Sequence, residues 1–170
     1  VTYLSEAIPS ILKHEPKAKF LILGEGELTS DFKQRLKMYI VQGYVKFLGE
    51  VLHRDVAKYL SAADIYVSTS FSNGTSASLL EAMACSTTPI TTAIPGNKEW
   101  IRDGWSGYLI PTGDAKQLAQ RIIFLIENRE LREKMAKNAL DTVRAKVVWR
   151  KNVEMLNDRI LRMISQKDSS

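Results

Sequence analysis

Apolar residues recur at helical spacing from the start of the chain. Leu4, Ala7, Ile8, Ile11 and Leu12 share one face, and His14-Glu15-Pro16 ends the run. The short apolar stretch from Ala18 to Gly24, bounded by glycine, predicts a buried strand. Helical spacing returns at Phe32, Leu36 and Met38-Tyr39. Tyr44 to Gly49 predicts a second strand, and Arg54 to Ala62 a helix with Val56, Ala57, Tyr59 and Leu60 inward. Further strands are expected from Asp64 to Ser70, Pro89 to Ala93 and Gly107 to Pro111, with a helix from Leu79 to Cys85 and a short helical turn from Glu99 to Arg102. Beyond Asp114, itself a candidate N-cap, the pattern is helical nearly to the end. Leu118, Ile122, Leu125 and Ile126 form one face, a second helix runs from Leu131 to Lys146, and a third carries Val153, Leu156, Ile160, Met163 and Ile164. That last stripe needs a partner surface, either the domain's own sheet or another domain.

Strands alternating with helices in this way predict βαβ units and an α/β fold built on a parallel sheet flanked by helices. Right-handed crossovers place the strand C-termini along one edge, outside which ligands bind. The loops at Gly24, Gly49, 70–78 and 93–96 are expected at that edge. The domain division is 1–150 for the α/β body and 151–170 for a C-terminal helix with a frayed, polar tail.

Composition narrows the class. The 170 residues are 45% apolar and 25% charged, ordinary for one globular domain, and no apolar run approaches the roughly 18–20 residues of a membrane span. The start, Val1-Thr2-Tyr3, carries no basic leader, signal pattern or initiator Met, which points to a piece of a longer polypeptide. The single cysteine, Cys85, fits a reducing compartment such as the cytoplasm, and its place on a predicted buried helix suits an inert core thiol. Net charge +5 favours anionic partners, but the basic residues are spread rather than clustered, so nucleic acid is not expected. Anionic nucleotides, or the headgroups of an acidic membrane met peripherally at its inner face, are the candidates.

The segment from Phe71 to Cys85 carries the most chemistry. It reads as strand end, polar glycine-containing loop and helix N-terminus, and a helix N-terminus offers unpaired amides and partial positive charge to phosphate. Glu81 lies further along that helix, where a carboxylate reaches a sugar hydroxyl. Together these point to a nucleotide-sugar site. Ser78-x-x-Glu81 also fits a capping box, in which Glu81 returns to a backbone N–H.

The ordered motifs resemble the donor-binding half of family 4 glycosyltransferases, retaining enzymes of the GT-B type. They are Leu21-Ile22-Leu23-Gly24-Glu25-Gly26, Val45-Lys46-Phe47-Leu48-Gly49-Glu50-Val51, the run from Tyr59 to Ser68, Leu80-Glu81-Ala82-Met83-Ala84, Pro95-Gly96-Asn97-Lys98-Glu99-Trp100-Ile101, and Gly107-Tyr108-Leu109-Ile110-Pro111 with Gly113-Asp114. The resemblance implies a Rossmann-like domain, the C-terminal half of a GT-B fold, whose first strand would precede Val1. It implies a nucleotide diphosphate sugar as donor substrate, no separate cofactor, no metal, and an N-terminal acceptor domain without which the fragment is inactive.

Residue by residue, the resemblance makes Glu81 the acid that holds the ribose hydroxyls. It sets Gly74, Thr75 and Ser76 at the turn facing the diphosphate and sugar, and Val51 beside the base. Gly24 and Gly26 either approach the phosphates or simply turn the chain. The family's first acid is replaced by Asn73, which still donates and accepts but lacks charge, a loss of about 1–2 kcal/mol of sugar contact. Asn73 and Glu81 are the candidate catalytic pair. The family's Arg and Lys near the first strand find no match here. Ser86-Thr87-Thr88-Pro89 departs from the family, which has a glycine and one residue fewer. His53 is read as a solvated loop histidine, with approach to the base as the alternative. Asn97 and Glu99 are read as capping and solvating a short helix, and Trp149 as a packing residue. The rival functional class is a non-catalytic interaction domain that kept the fold; a nucleic-acid binder is a distant third.

Overall fold

A computed structural model describes residues 2–71, 74 and 76–147. The elements in order are α1 (Thr2–His14), β1 (Phe20–Leu23), α2 (Thr29–Arg35), α3 (Lys37–Val41), β2 (Val45–Gly49), α4 (His53–Ala62), β3 (Ile65–Ser68), α5 (Ala77–Ala84), β4 (Thr88–Thr92), α6 (Pro95–Lys98), β5 (Tyr108–Ile110), α7 (Ala115–Glu127) and α8 (Arg129–Lys146). Asn73, Thr75, Trp149 and the expected 151–170 helix lie outside the described residues.

Every strand pairing is parallel, but the expected single sheet is two. β1 pairs with β2, while β3, β4 and β5 form a second sheet in that order. Among the described residues, one edge of β1 and one of β3 carry no strand, and burial follows the pairing. β4, with a neighbour on each side, is buried at all five positions, whereas β3 is half-buried throughout and β1 exposes Leu21 and Leu23. Such open edges are templates for a further strand. The two sheets share a core nonetheless: Phe20 of β1 and Ile65 and Val67 of β3 pack on one cluster with Ala7, Ile11, Ile90, Leu118 and Leu125. On another face, Leu79 and Met83 of α5 meet Ile101 and the α8 residues Ala139 and Val143.

Two local expectations shift. The helical turn expected over 99–102 begins earlier, at Pro95, because proline suits the first helical position and lacks the N–H left unpaired there. Within it Asn97 is no solvated cap. It is 2% exposed, and its Nδ2 donates to the Thr92 carbonyl at 2.9 Å, tying α6 to the end of β4. Asp114 caps α7 as expected, its Oδ1 accepting from the Gln117 amide at 2.8 Å.

The departure at 86–89 closes α5. The Thr87 amide donates to the Ala82 carbonyl and the Ser86 amide to that of Met83, the paired bonds of a Schellman turn. Ser86 sits at its left-handed position with φ 57°, where L side chains are strained. Ser86→Gly is expected to stabilise the chain by about 0.5–1 kcal/mol, the relieved strain exceeding the added chain entropy. A thermal melt checks this, and an unchanged or lower Tm counts against it.

Candidate functional site

The parallel ladders gather the strand C-termini, and side chains stitch them together. The Gly24 amide at the end of β1 donates to the Gly49 carbonyl at the end of β2, 2.8 Å away. The Gly26 amide donates to Thr29 Oγ1 at 2.8 Å. Both glycine N–H groups are therefore engaged within the protein, and their geometry is that of turns; Gly24 uses a positive φ of 93°. Val51, half-buried, follows β2 and leads into α4. At the other sheet, Thr92 Oγ1 at the end of β4 donates to the Ser70 carbonyl beyond β3. Phe71, the next residue, is exposed, and its ring meets that of buried Tyr3 edge-on, centroids 5.2 Å apart, which anchors the loop's entry to α1.

The loop from Phe71 leads into α5, whose N-cap is Ser76. Its Oγ accepts from the Leu79 amide at 3.4 Å. This settles the capping-box alternative. With Ser76 as cap, the third helical residue is Leu79, so Glu81 lies past the first turn and closes no box with Ser78. Ser78 instead joins a hydroxyl chain, 2.7 Å from Tyr66 Oη and 3.1 Å from Ser76 Oγ. The Ala77 and Ser78 amides, at the first two helical positions, have no partner among the described residues. Gly74 is exposed beside them.

Burial of Leu79, Ala82 and Met83 aims Glu81 the other way, about 200° around the helix from Leu79. Its side chain keeps 34% exposure, and Oε1 lies 3.7 Å from His53 Nδ1. His53 opens α4, a helix whose N-cap, Leu52, provides no side-chain cap. Glu81 thus sits across from a second helix N-terminus, a favourable field for a carboxylate. His53 is a helix residue rather than a loop one, and it links the segment after β2 to that after β3. Cys85, read as a buried thiol, is only half-buried, at the C-cap of α5 with Sγ 3.9 Å from the Ala57 carbonyl.

The edge therefore joins amides that lack a partner among the described residues, hydroxyls and a part-exposed acidic side chain, a set suited to an anion bearing hydroxyls. The family of glycosyl transferases group 1 matches residues 1–142. The chain belongs to that family. It is 30% identical over 148 residues to an uncharacterized glycosyltransferase of Methanocaldococcus jannaschii, covering 86% of this chain and 37% of that protein. Among solved structures, a point mutant of S. aureus TarM in complex with UDP, fondaparinux and alpha-GlcNAc-glycerol superposes with a TM-score of 0.84 at 25% identity, over 92% of this chain and 32% of that one. The C-terminal domain of a group 1 glycosyl transferase, LpcC, from Francisella tularensis superposes with a TM-score of 0.77 at 28% identity, over 85% of this chain and 77% of that one. The chain spans about a third of the length of the first curated relatives it matches, 33–38%. Its fold is that of the GT-B glycosyltransferases, α/β with parallel sheets flanked by helices. No helix among the described residues is long and apolar enough to cross a membrane.

Proposed function

We propose that this chain is the donor-binding domain of a retaining glycosyltransferase. It takes a sugar from a nucleotide diphosphate sugar, and an N-terminal acceptor domain of the same polypeptide holds the acceptor. The observation that carries the reading is the joint placement, on one helix at the strand edge, of the Ala77 and Ser78 amides, which have no partner among the described residues, and the part-exposed Glu81 side chain. The family membership and the UDP held by TarM support it.

Each group has a physical task. The α5 amides face the diphosphate and stabilise the charge that gathers on it as the glycosidic bond breaks, a preorganised anion site. A helix terminus contributes at most about 2 kcal/mol, so further cationic groups of the whole enzyme complete the stabilisation. Glu81 accepts the ribose hydroxyls through charge-assisted hydrogen bonds. Val51 and exposed Leu52, just before α4, offer an apolar wall to the base. Asn73 takes the family's first acidic position and meets the donor sugar with a neutral amide. The chain alone binds nucleotide and transfers no sugar.

Calorimetric titration with UDP, GDP and ADP tests the reading. Saturable binding of one of them at a single site is expected, without turnover of the corresponding nucleotide sugar. A folded sample that binds none contradicts it.

A further inference from the structure

Glu81 is a flexible side chain asked to hold two hydroxyls in fixed places, and something must orient it. Among the described residues no Lys or Arg pairs with it; its ionic neighbour among them is the imidazole of His53, 3.7 Å away. The neighbouring cation on α4, Arg54, is turned to Asp55 at 3.7 Å, and Lys58 is held by the same Asp55 at 2.7 Å. His53 has 86% of its side chain exposed, so it supports no packing that would explain its place. Its backbone is nevertheless fixed as the first residue of α4, and Glu81 is fixed by the buried Leu79, Ala82 and Met83 beside it.

We propose that His53 is a positioning residue of the nucleotide site, resting on the reading of Glu81 as the ribose acceptor. A small rotation of the exposed ring brings its Nδ1–H into hydrogen-bond range of Oε1. A carboxylate has about four acceptor directions, so one bond from His53 leaves room for both ribose hydroxyls. The imidazole thereby selects a single carboxylate rotamer before the nucleotide arrives, and the ordering cost is met in the free protein. His53 acts through Glu81 and not on the nucleotide.

Titrations with UDP and 2′,3′-dideoxy-UDP separate these roles. His53→Ala is expected to weaken UDP binding about threefold to tenfold, the effect of leaving one flexible side chain to be ordered on binding. It leaves dideoxy-UDP binding unchanged, because no hydroxyls remain for Glu81 to hold. His53→Asn, whose amide nitrogen reaches close to where Nδ1 lies, restores UDP binding. In a Glu81→Ala background, His53→Ala adds no further loss. Equal loss for both nucleotides, or a loss that persists without Glu81, overturns the proposal by showing direct contact. So does an unchanged UDP affinity in His53→Ala, which leaves the donor-site reading standing. A wild-type chain that binds neither nucleotide overturns both.

Discussion

Glu81→Ala is expected to weaken UDP binding about tenfold to a hundredfold while leaving the fold intact. A hydrogen bond to a charged group contributes about 1.5–3 kcal/mol, which is that range in affinity. The fold survives because Glu81 points away from the Leu79–Met83 face of α5, and alanine is the better helix former. Glu81→Gln falls between, since it keeps an acceptor and loses the charge. Calorimetry on the three proteins, with circular dichroism as the check on folding, reads this directly. Equal affinities would remove Glu81 from the ribose.

The largest stability effect is expected at Gly107, in the approach to β5. A Cβ there would lie 2.5 Å from the Pro89 carbonyl oxygen and 2.7 Å from Pro89 Cγ. Pro89 belongs to β4, buried along its whole length and paired on both sides, so it cannot move aside. The Gly107 φ of 153° adds backbone strain for any L side chain. Gly107→Ala should cost about 3 kcal/mol or more, which lowers Tm by roughly 6–12 °C in a domain of this size. Gly113→Ala is the control. Its φ is also positive, at 90°, but nothing lies within 4 Å of the added carbon, so only the milder strain of about 1–2 kcal/mol applies. If the two melt alike, close packing at Pro89 is not what fixes Gly107. The consequence reaches the site, because β4 ends at Thr92, which holds both the Ser70 carbonyl and Asn97.

Much of this arrangement was legible in the residues because the relevant forces are local. Short apolar runs, the first two closed by glycine, marked all five strands to within a few residues, and the 3.6-residue stripe marked α1, α4, α7 and α8. Strand pairing was not legible. Alternation of strand and helix gives number and direction, while the division into β1–β2 and β3–β4–β5 depends on which edges meet, a long-range property. The α5 cap shows a second limit. Ser76 and Ser78 are both plausible N-caps by residue type, and the choice is made by where the chain leaves β3, with Tyr66 drawing Ser78 into its own hydrogen bond. Asn97 reads as polar and therefore exposed, but the Thr92 carbonyl, which also accepts from the Ile94 amide, gives it a buried partner. His53 and Glu81 are far apart in sequence, and no spacing rule joins them. The usable signal was topological: each falls in the helix directly after a strand, on the edge where such helices begin.

The amides opening α5 and the Glu81 carboxylate are proposed to form a nucleotide site at the strand edge. The measurement that tests it most directly is a ¹H–¹⁵N spectrum of the labelled chain recorded during titration with UDP. Saturable shifts are expected, concentrated at Val51, His53, Gly74, Ser76, Ala77, Ser78 and Glu81, all following one binding curve. Shifts confined to the groove between α1 and α7, around Ser10, Gln120 and Phe124, or no shifts in a folded sample, would contradict it.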